Sequence, residues 1–136
     1  MTASADSTVR TWDLRMSGKC TATLTRHHKG IRALAAHPSE WSYVSASRDS
    51  IYQWTGENST MLKKFESHPS IINSVAINES DVMVTAGDDG TLQWWDWGSG
   101  ECFQKGKTIA QPGSLDNEWG IFDVAFDKTG TRMITC

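Results

Sequence analysis

A chain of 136 residues with 16 acidic and 13 basic side chains, net charge −3, has room for one modest domain and no basic surplus for gripping nucleic acid through its own electrostatics. Hydrophobic residues at 38% suffice for a packed core, yet no apolar run approaches the length of a membrane span and no signal-peptide pattern is present. Cys20, Cys102 and Cys136 show neither a metal-ligand spacing nor a disulfide framework, so a reducing intracellular compartment is expected.

In chain order, residues 1–5 read as the end of a strand, 8–14 as a second strand, and 20–24 as a third after a turn at Met16-Ser17-Gly18-Lys19. Strands follow at 31–36, 43–47, 50–54 and 61–65. Pro38 marks the turn at 37–40, because proline presets φ and cannot donate to a central ladder. The same plan returns at 72–77, 82–86, 91–95 and 101–104. A longer passage, 106–120, precedes strands at 121–126 and 132–136.

The plan is periodic. Turn aspartates at Asp6, Asp49 and Asp89 are separated by 43 and 40 residues, and Trp12, Trp54 and Trp95 by 42 and 41. His27 and His68, each ahead of an apolar strand, lie 41 apart. Asp89-Gly90 is a strong turn dipeptide, and Thr91, Leu92, Trp94 and Trp95 suit a pleated surface. A period of roughly 40–45 residues with an early His and a late Trp-Asp is the signature of a WD-repeat β-propeller. The expected fold is all-β: an incomplete arc of about three blades, two complete and two partial, within 1–136. Residues 1–26 would end one blade, 27–66 and 67–105 would each be a full blade, 106–120 a long inter-blade loop, and 121–136 the start of the next. A closed ring of six to eight blades needs roughly 240–340 residues. The expectation is therefore a piece of a longer protein, or a ring completed by other chains.

Several groups of residues mimic chemistry. His27, Ser45 and Asp49 have the composition of a hydrolase triad. His68, Thr85 and Asp89 repeat it in the same order, and a device that recurs with the repeat reads as structure, not as an active site. In propellers of the WD family, which this chain resembles, the early His, a strand-b Ser or Thr, the turn Asp and the strand-c Trp form a buried hydrogen-bonded network. The resemblance implies His27, Ser45, Asp49 and Trp54 in one blade and His68, Thr85, Asp89 and Trp95 in the next. His28 and His37 read as loop and turn residues, with no zinc-site spacing. Trp94, Trp95 and Trp97 read as inter-blade packing, with Trp94 on the opposite face from the other two. Arg48 and Asp88, each just before a turn Asp, should project from the face where partners of such propellers dock. The 106–120 loop has two readings, a partner-binding element or a tolerated solvated insertion.

More specific stretches are Ile31-Arg32-Ala33-Leu34-Ala35-Ala36-His37-Pro38-Ser39, the shortened Ile51-Tyr52-Gln53-Trp54, and Ile71-Ile72-Asn73-Ser74-Val75. To these add Thr91-Leu92-Gln93-Trp94-Trp95-Asp96-Trp97, and above all Gln111-Pro112-Gly113-Ser114-Leu115-Asp116 followed by Gly120-Ile121-Phe122. On these residues the chain resembles the pleiotropic regulator family, WD-repeat subunits of the spliceosome's NineTeen complex. The resemblance implies the later blades of a seven-bladed propeller, and a nuclear, non-catalytic protein–protein scaffold in pre-mRNA splicing. It implies other splicing factors as partners and RNA contact only within the assembly. It implies no cofactor, metal, membrane or small-molecule substrate. Candidate partner-binding residues are Arg48, Asp88, Gln111, Pro112, Gly113, Ser114, Leu115, Asp116 and Trp119. The alternatives are a WD-repeat adaptor of another complex (a ubiquitin-ligase receptor or chromatin subunit) and a propeller enzyme. The 111–116 loop discriminates against the first, and the duplication of every polar constellation against the second.

Overall fold

A computed structural model describes residues 1–109, 112–115 and 118–136. Among these residues the chain forms four antiparallel sheets, one after another along the sequence. The first is β1 (Thr2–Ala3), β2 (Val9–Asp13) and β3 (Lys19–Leu24). The second is β4 (Ile31–Ala36), β5 (Ser42–Ser47), β6 (Ile51–Thr55) and β7 (Met61–Phe65). The third is β8 (Ile72–Ile77), β9 (Val82–Gly87), β10 (Thr91–Asp96) and β11 (Cys102–Lys107). The fourth is β12 (Val124–Phe126) and β13 (Met133–Thr135). Each sheet is a meander in which sequence neighbours pair, as expected when turns are short and chemically well marked. This is an incomplete WD β-propeller, with blades 1 to 4 in chain order.

The blades hold one another face to face. Between blades 2 and 3 lies a core of Val44, Ala46, Ile51, Phe65, Ile72, Val75, Met83, Trp95 and Trp97. Phe65 meets Trp95 edge-on at 5.9 Å between ring centroids. Val9, Ile31, Tyr43, Tyr52 and Trp54 join blades 1 and 2, and Val84, Ala86, Leu92, Ile121 and Val124 join blades 3 and 4. Strand β5 is buried along its whole length, so both of its faces are spent on neighbouring blades. A strand buried on both sides carries little alternation, which is why Tyr43-Val44-Ser45-Ala46 mixes apolar and small polar residues.

Two irregularities recur. The ladder between the tryptophan-bearing strand and the strand after it shifts register just before the tryptophan, between Thr11 and Trp12, Gln53 and Trp54, and Trp94 and Trp95. The innermost pair shifts between Ile31 and Ala33 and between Ile72 and Ser74, so Arg32 and Asn73 drop out of their ladders. A bulge adds twist and re-aims the extra side chain.

Some details differ from the sequence reading. β11 extends to Lys107, because Gly106 leaves room for the Trp94 ring: a Cβ at Gly106 would lie 3.0 Å from Trp94 Cζ3. β12 begins only at Val124, since Phe122 and Asp123 both donate their backbone N–H to the carbonyl of Cys136 instead of forming a regular ladder. A short 3₁₀ turn, Leu14–Met16, follows β2, with the Asp13 carboxylate accepting from the Arg15 backbone at 2.8 Å.

Candidate functional site: the fasteners of each blade and the face above them

Three tryptophans donate the same hydrogen bond. The indole Nε1 of Trp54 donates to Ser45 Oγ at 2.8 Å, that of Trp95 to Thr85 Oγ1 at 3.0 Å, and that of Trp12 to Thr2 Oγ1 at 2.9 Å. Antiparallel pairing places Trp54 opposite Tyr43 and Trp95 opposite Met83, so each indole reaches diagonally to the hydroxyl two residues further along the neighbouring strand. Thr2 went unnoticed as a sequence feature. The signal was there: positions 2, 45 and 85 step by the same 43 and 40 as the turn aspartates.

In blade 2 the network continues inward from Ser45. His27, only 4% exposed, brings Nε2 to 2.7 Å from Ser45 Oγ. Its Nδ1 lies 3.1 Å from both Ser47 Oγ and Ser50 Oγ. Ser47 and Ser50 in turn donate to the Asp49 carboxylate. The directions follow from the ends of the chain. Trp54 can only donate and the Asp49 carboxylate can only accept, so both serines spend their protons on Asp49 and accept from a protonated Nδ1. Nε2 is then an acceptor for the Ser45 hydroxyl. This assigns a neutral Nδ1–H imidazole, a tautomer inferred from the bonding pattern. Burial lowers the His27 pKa to about 4, against an opposing pull from the Asp49 charge. The Asp49 carboxyl is held below its ordinary value by hydrogen bonds led by Ser47, in excess of the upward push of burial. A base already committed at both nitrogens, beside a serine occupied by an indole, is poorly placed to activate a nucleophile.

Blade 3 is wired differently. His68 is also buried, but its Nδ1 faces the backbone N–H and hydroxyl of Ser70, each at 3.3 Å, and its Nε2 lies 3.5 Å from Thr91 Oγ1. Thr91 donates to Asp89 Oδ1 at 2.5 Å. Among the described residues no hydrogen bond joins His68 to Thr85. Two positions differ: Gly87 stands where blade 2 has Ser47, and Ser70 where blade 2 has Lys29. A Cβ at Gly87 would run into Ser70 Oγ and would sit 2.6 Å from Thr91 Oγ1 and 2.7 Å from His68 Cε1. The space of the missing serine side chain is filled by the Ser70 hydroxyl. Burial pushes the His68 pKa down as well, opposed by the Asp89 charge.

A second recurring device lies at the other end of the inner strands. His37 is buried and stacks on Trp97 with centroids 5.0 Å apart. Its Nδ1 accepts from the Glu40 backbone N–H at 3.0 Å, which leaves Nε2 to donate to Asp81 Oδ1 of blade 3 at 3.1 Å. Trp97 donates its indole N–H back to Glu40 Oε2 at 2.9 Å. Asn78, at the same point of the next repeat, accepts from the backbone of Ser80 and Val82 and donates to the Gly130 carbonyl of blade 4. Each of these residues closes its own turn and clasps the following blade. Reading His37 as a turn residue missed the clasp; Asn78 in register, before a second polar turn, was the available clue.

Arg48 and Asp88 are both exposed and wall one cleft of about 260 Å³ with Pro69, Ser70 and Ile71. Asp88 Oδ1 accepts from Asn73 Nδ2 at 3.1 Å. Of the loop candidates, Pro112 and Gly113 form an exposed turn, with Gly113 at φ +94° and no atom within 4 Å of a Cβ placed there. Leu115 is 71% exposed, and its backbone N–H donates to Glu118 Oε2 at 3.1 Å. Ser114 and Trp119 are half-buried. The Lys107 ammonium stands 5.6 Å from the centroid of the Trp119 ring, and the Trp119 carbonyl packs where a Cβ on Gly90 would be. That turn glycine has φ +76°, so neither its conformation nor its surroundings admit a side chain. Gln111 and Asp116 lie outside the described residues.

The model of the WD domain, G-beta repeat, matches residues 59–96. Pleiotropic regulator PRL2 of Arabidopsis thaliana is 49% identical over 120 residues, which is 88% of this chain and 25% of that protein. Pleiotropic regulator 1 of Homo sapiens is 42% identical over 103 residues, 76% of this chain and 20% of that protein. The pre-mRNA-splicing factor PRP46 of Candida glabrata is 38% identical over 120 residues, 88% of this chain and 28% of that protein. The chain thus spans about a quarter of the length of the curated relatives it matches. It is an arc of WD-repeat propeller, homologous along most of its length to the pleiotropic regulator and PRP46 proteins.

Proposed function

We propose that this chain acts in pre-mRNA splicing as part of a non-catalytic protein–protein scaffold, working in the nucleus and contacting other splicing factors. The observation that carries the reading is the identity of 38–49% to proteins named for pleiotropic regulation and pre-mRNA splicing, sustained over 76–88% of this chain. The polar clusters agree with it. The bond from indole to hydroxyl recurs in three blades, and the buried His27 cluster of blade 2 is likewise consumed in holding strands together. Arg48, Asp88 and the 106–120 loop, in which Leu115 is exposed and Trp119 half-buried, are the surfaces we assign to partners. A pull-down of the full-length protein from nuclear extract should recover splicing factors. Recovery of ubiquitin-ligase or chromatin components alone would overturn the proposal.

A further inference from the structure

The bulges of the inner strands set up a charged cleft. At the bulge in β4, Arg32 leaves the ladder and lies exposed, donating Nη1 to Asn73 Oδ1 at 3.0 Å. A guanidinium has five donors, so most of its capacity is unspent. Arg48 and Lys29 are exposed beside it, and neither has a hydrogen bond or ion pair with any described residue. These three cations, with Ile71, wall a cleft of about 290 Å³. Arg48 and Ile71 also wall the neighbouring cleft, whose far side is Asp88 and Asp89. Asp89 is engaged by Thr91, and Asp88 gives one oxygen to Asn73. The two clefts therefore run from three cations, past an apolar side chain, to a carboxylate.

We propose that this pair of clefts holds a short extended peptide of a protein partner. Its acidic side chain sits among Lys29, Arg32 and Arg48, an apolar residue covers Ile71, and a basic residue further on faces Asp88. Arg is suited to such a carboxylate because its planar fork makes paired, charge-assisted hydrogen bonds. Charge complementarity selects a peptide over RNA. A nucleic-acid strand presents phosphate at every step, and its continuation would meet Asp88 and Asp89. The inference rests on the scaffold reading and adds the chemistry of one docking surface.

The test uses the full-length protein and three labelled probes: a short peptide with an acidic half and a basic half, the same peptide with the two signs exchanged residue for residue, and single-stranded RNA of similar length. Binding is followed by fluorescence anisotropy. The acidic–basic peptide should bind saturably and weaken with salt, and Lys29→Glu with Arg48→Glu should reduce its affinity at least about tenfold. All the residues changed are exposed. The triple variant K29E/R48E/D88K should in turn prefer the sign-exchanged peptide, a gain that misfolding cannot mimic. No saturable binding, binding unchanged in the variants, or RNA bound in preference to the peptide and lost with the same changes would each overturn the inference. Because no probe is a splicing factor, failure here leaves the pull-down result standing, and the reverse also holds.

Discussion

Trp54, Ser45 and His27 show how much rests on one hydroxyl. Ser45 Oγ accepts from the indole and donates to the imidazole, all three side chains being buried. Ser45→Ala removes one oxygen and orphans two buried polar atoms, each carrying a desolvation penalty of roughly 1–3 kcal/mol. Trp54→Phe keeps most of the ring and orphans nothing on His27. We expect Ser45→Ala to lower the urea midpoint of the full-length protein more than Trp54→Phe does; equal losses would contradict the relay. The imidazole also makes a pH prediction. With the His27 pKa at about 4 in the folded chain against 6.5 ordinarily, the unfolded chain binds the extra proton throughout that window. Stability therefore rises with pH across it: the contribution is fully present above 6.5 and is lost as pH falls through about 4. At about 1.4 kcal/mol per unit this is up to about 3 kcal/mol. Urea titrations at stepped pH should show this slope in the wild type and a shallower one in His27→Gln. The Trp and Asp ends of these networks were legible as a period. Their wiring was not, because His68 takes its orientation from the absence of a side chain at Gly87 and the hydroxyl that fills the space comes from Ser70.

At the scale of strands, blades 2 and 3 are two solutions to one packing problem, and they should be interconvertible. Gly87→Ser alone forces its side chain onto Ser70 and to within 2.6 Å of Thr91 Oγ1. We expect a loss of about 1–3 kcal/mol, typical of overpacking. Adding Ser70→Ala removes the nearest of the three clashes and leaves those with Thr91 and His68, so the double variant should recover part of the loss. A double-mutant cycle on thermal unfolding measures the coupling, and strict additivity would show that the two hydroxyls do not share one space. Strand existence was legible from alternation and turn residues. Strand ends were less so: β11 continues because Gly106 yields to Trp94, a cross-strand contact that no local pattern announces. The His37 clasp was hidden by a sound local rule. Pro38 does mark a turn, but it does not disclose that the residue before it reaches Asp81 in the next blade.

At the scale of the whole chain, sequence repeat and folding unit are out of phase. The matched repeat, 59–96, starts just before β7 of blade 2 and ends with β10 of blade 3. It therefore spans one interface, carrying Phe65 from one blade and Ile72, Val75, Met83 and Trp95 from the next, while Val44, Ala46 and Ile51 of the same core lie before it. Stability in such an array belongs to interfaces more than to blades. Each interior interface holds a buried apolar cluster, and in the first and last blades Leu14 is 86%, Met16 64%, Phe122 68% and Ile134 69% exposed. Among the described residues, β1 and β13 each also end their sheets with an unpaired strand edge. Exposed apolar faces beside open edges favour pairing with another chain. The 136 residues on their own should therefore self-associate, with sedimentation and apparent melting temperature both depending on concentration. A sharp, concentration-independent unfolding transition of a monomer would show instead that the three interior interfaces suffice, and would move the burden of stability from ring closure to the blade-to-blade clasps.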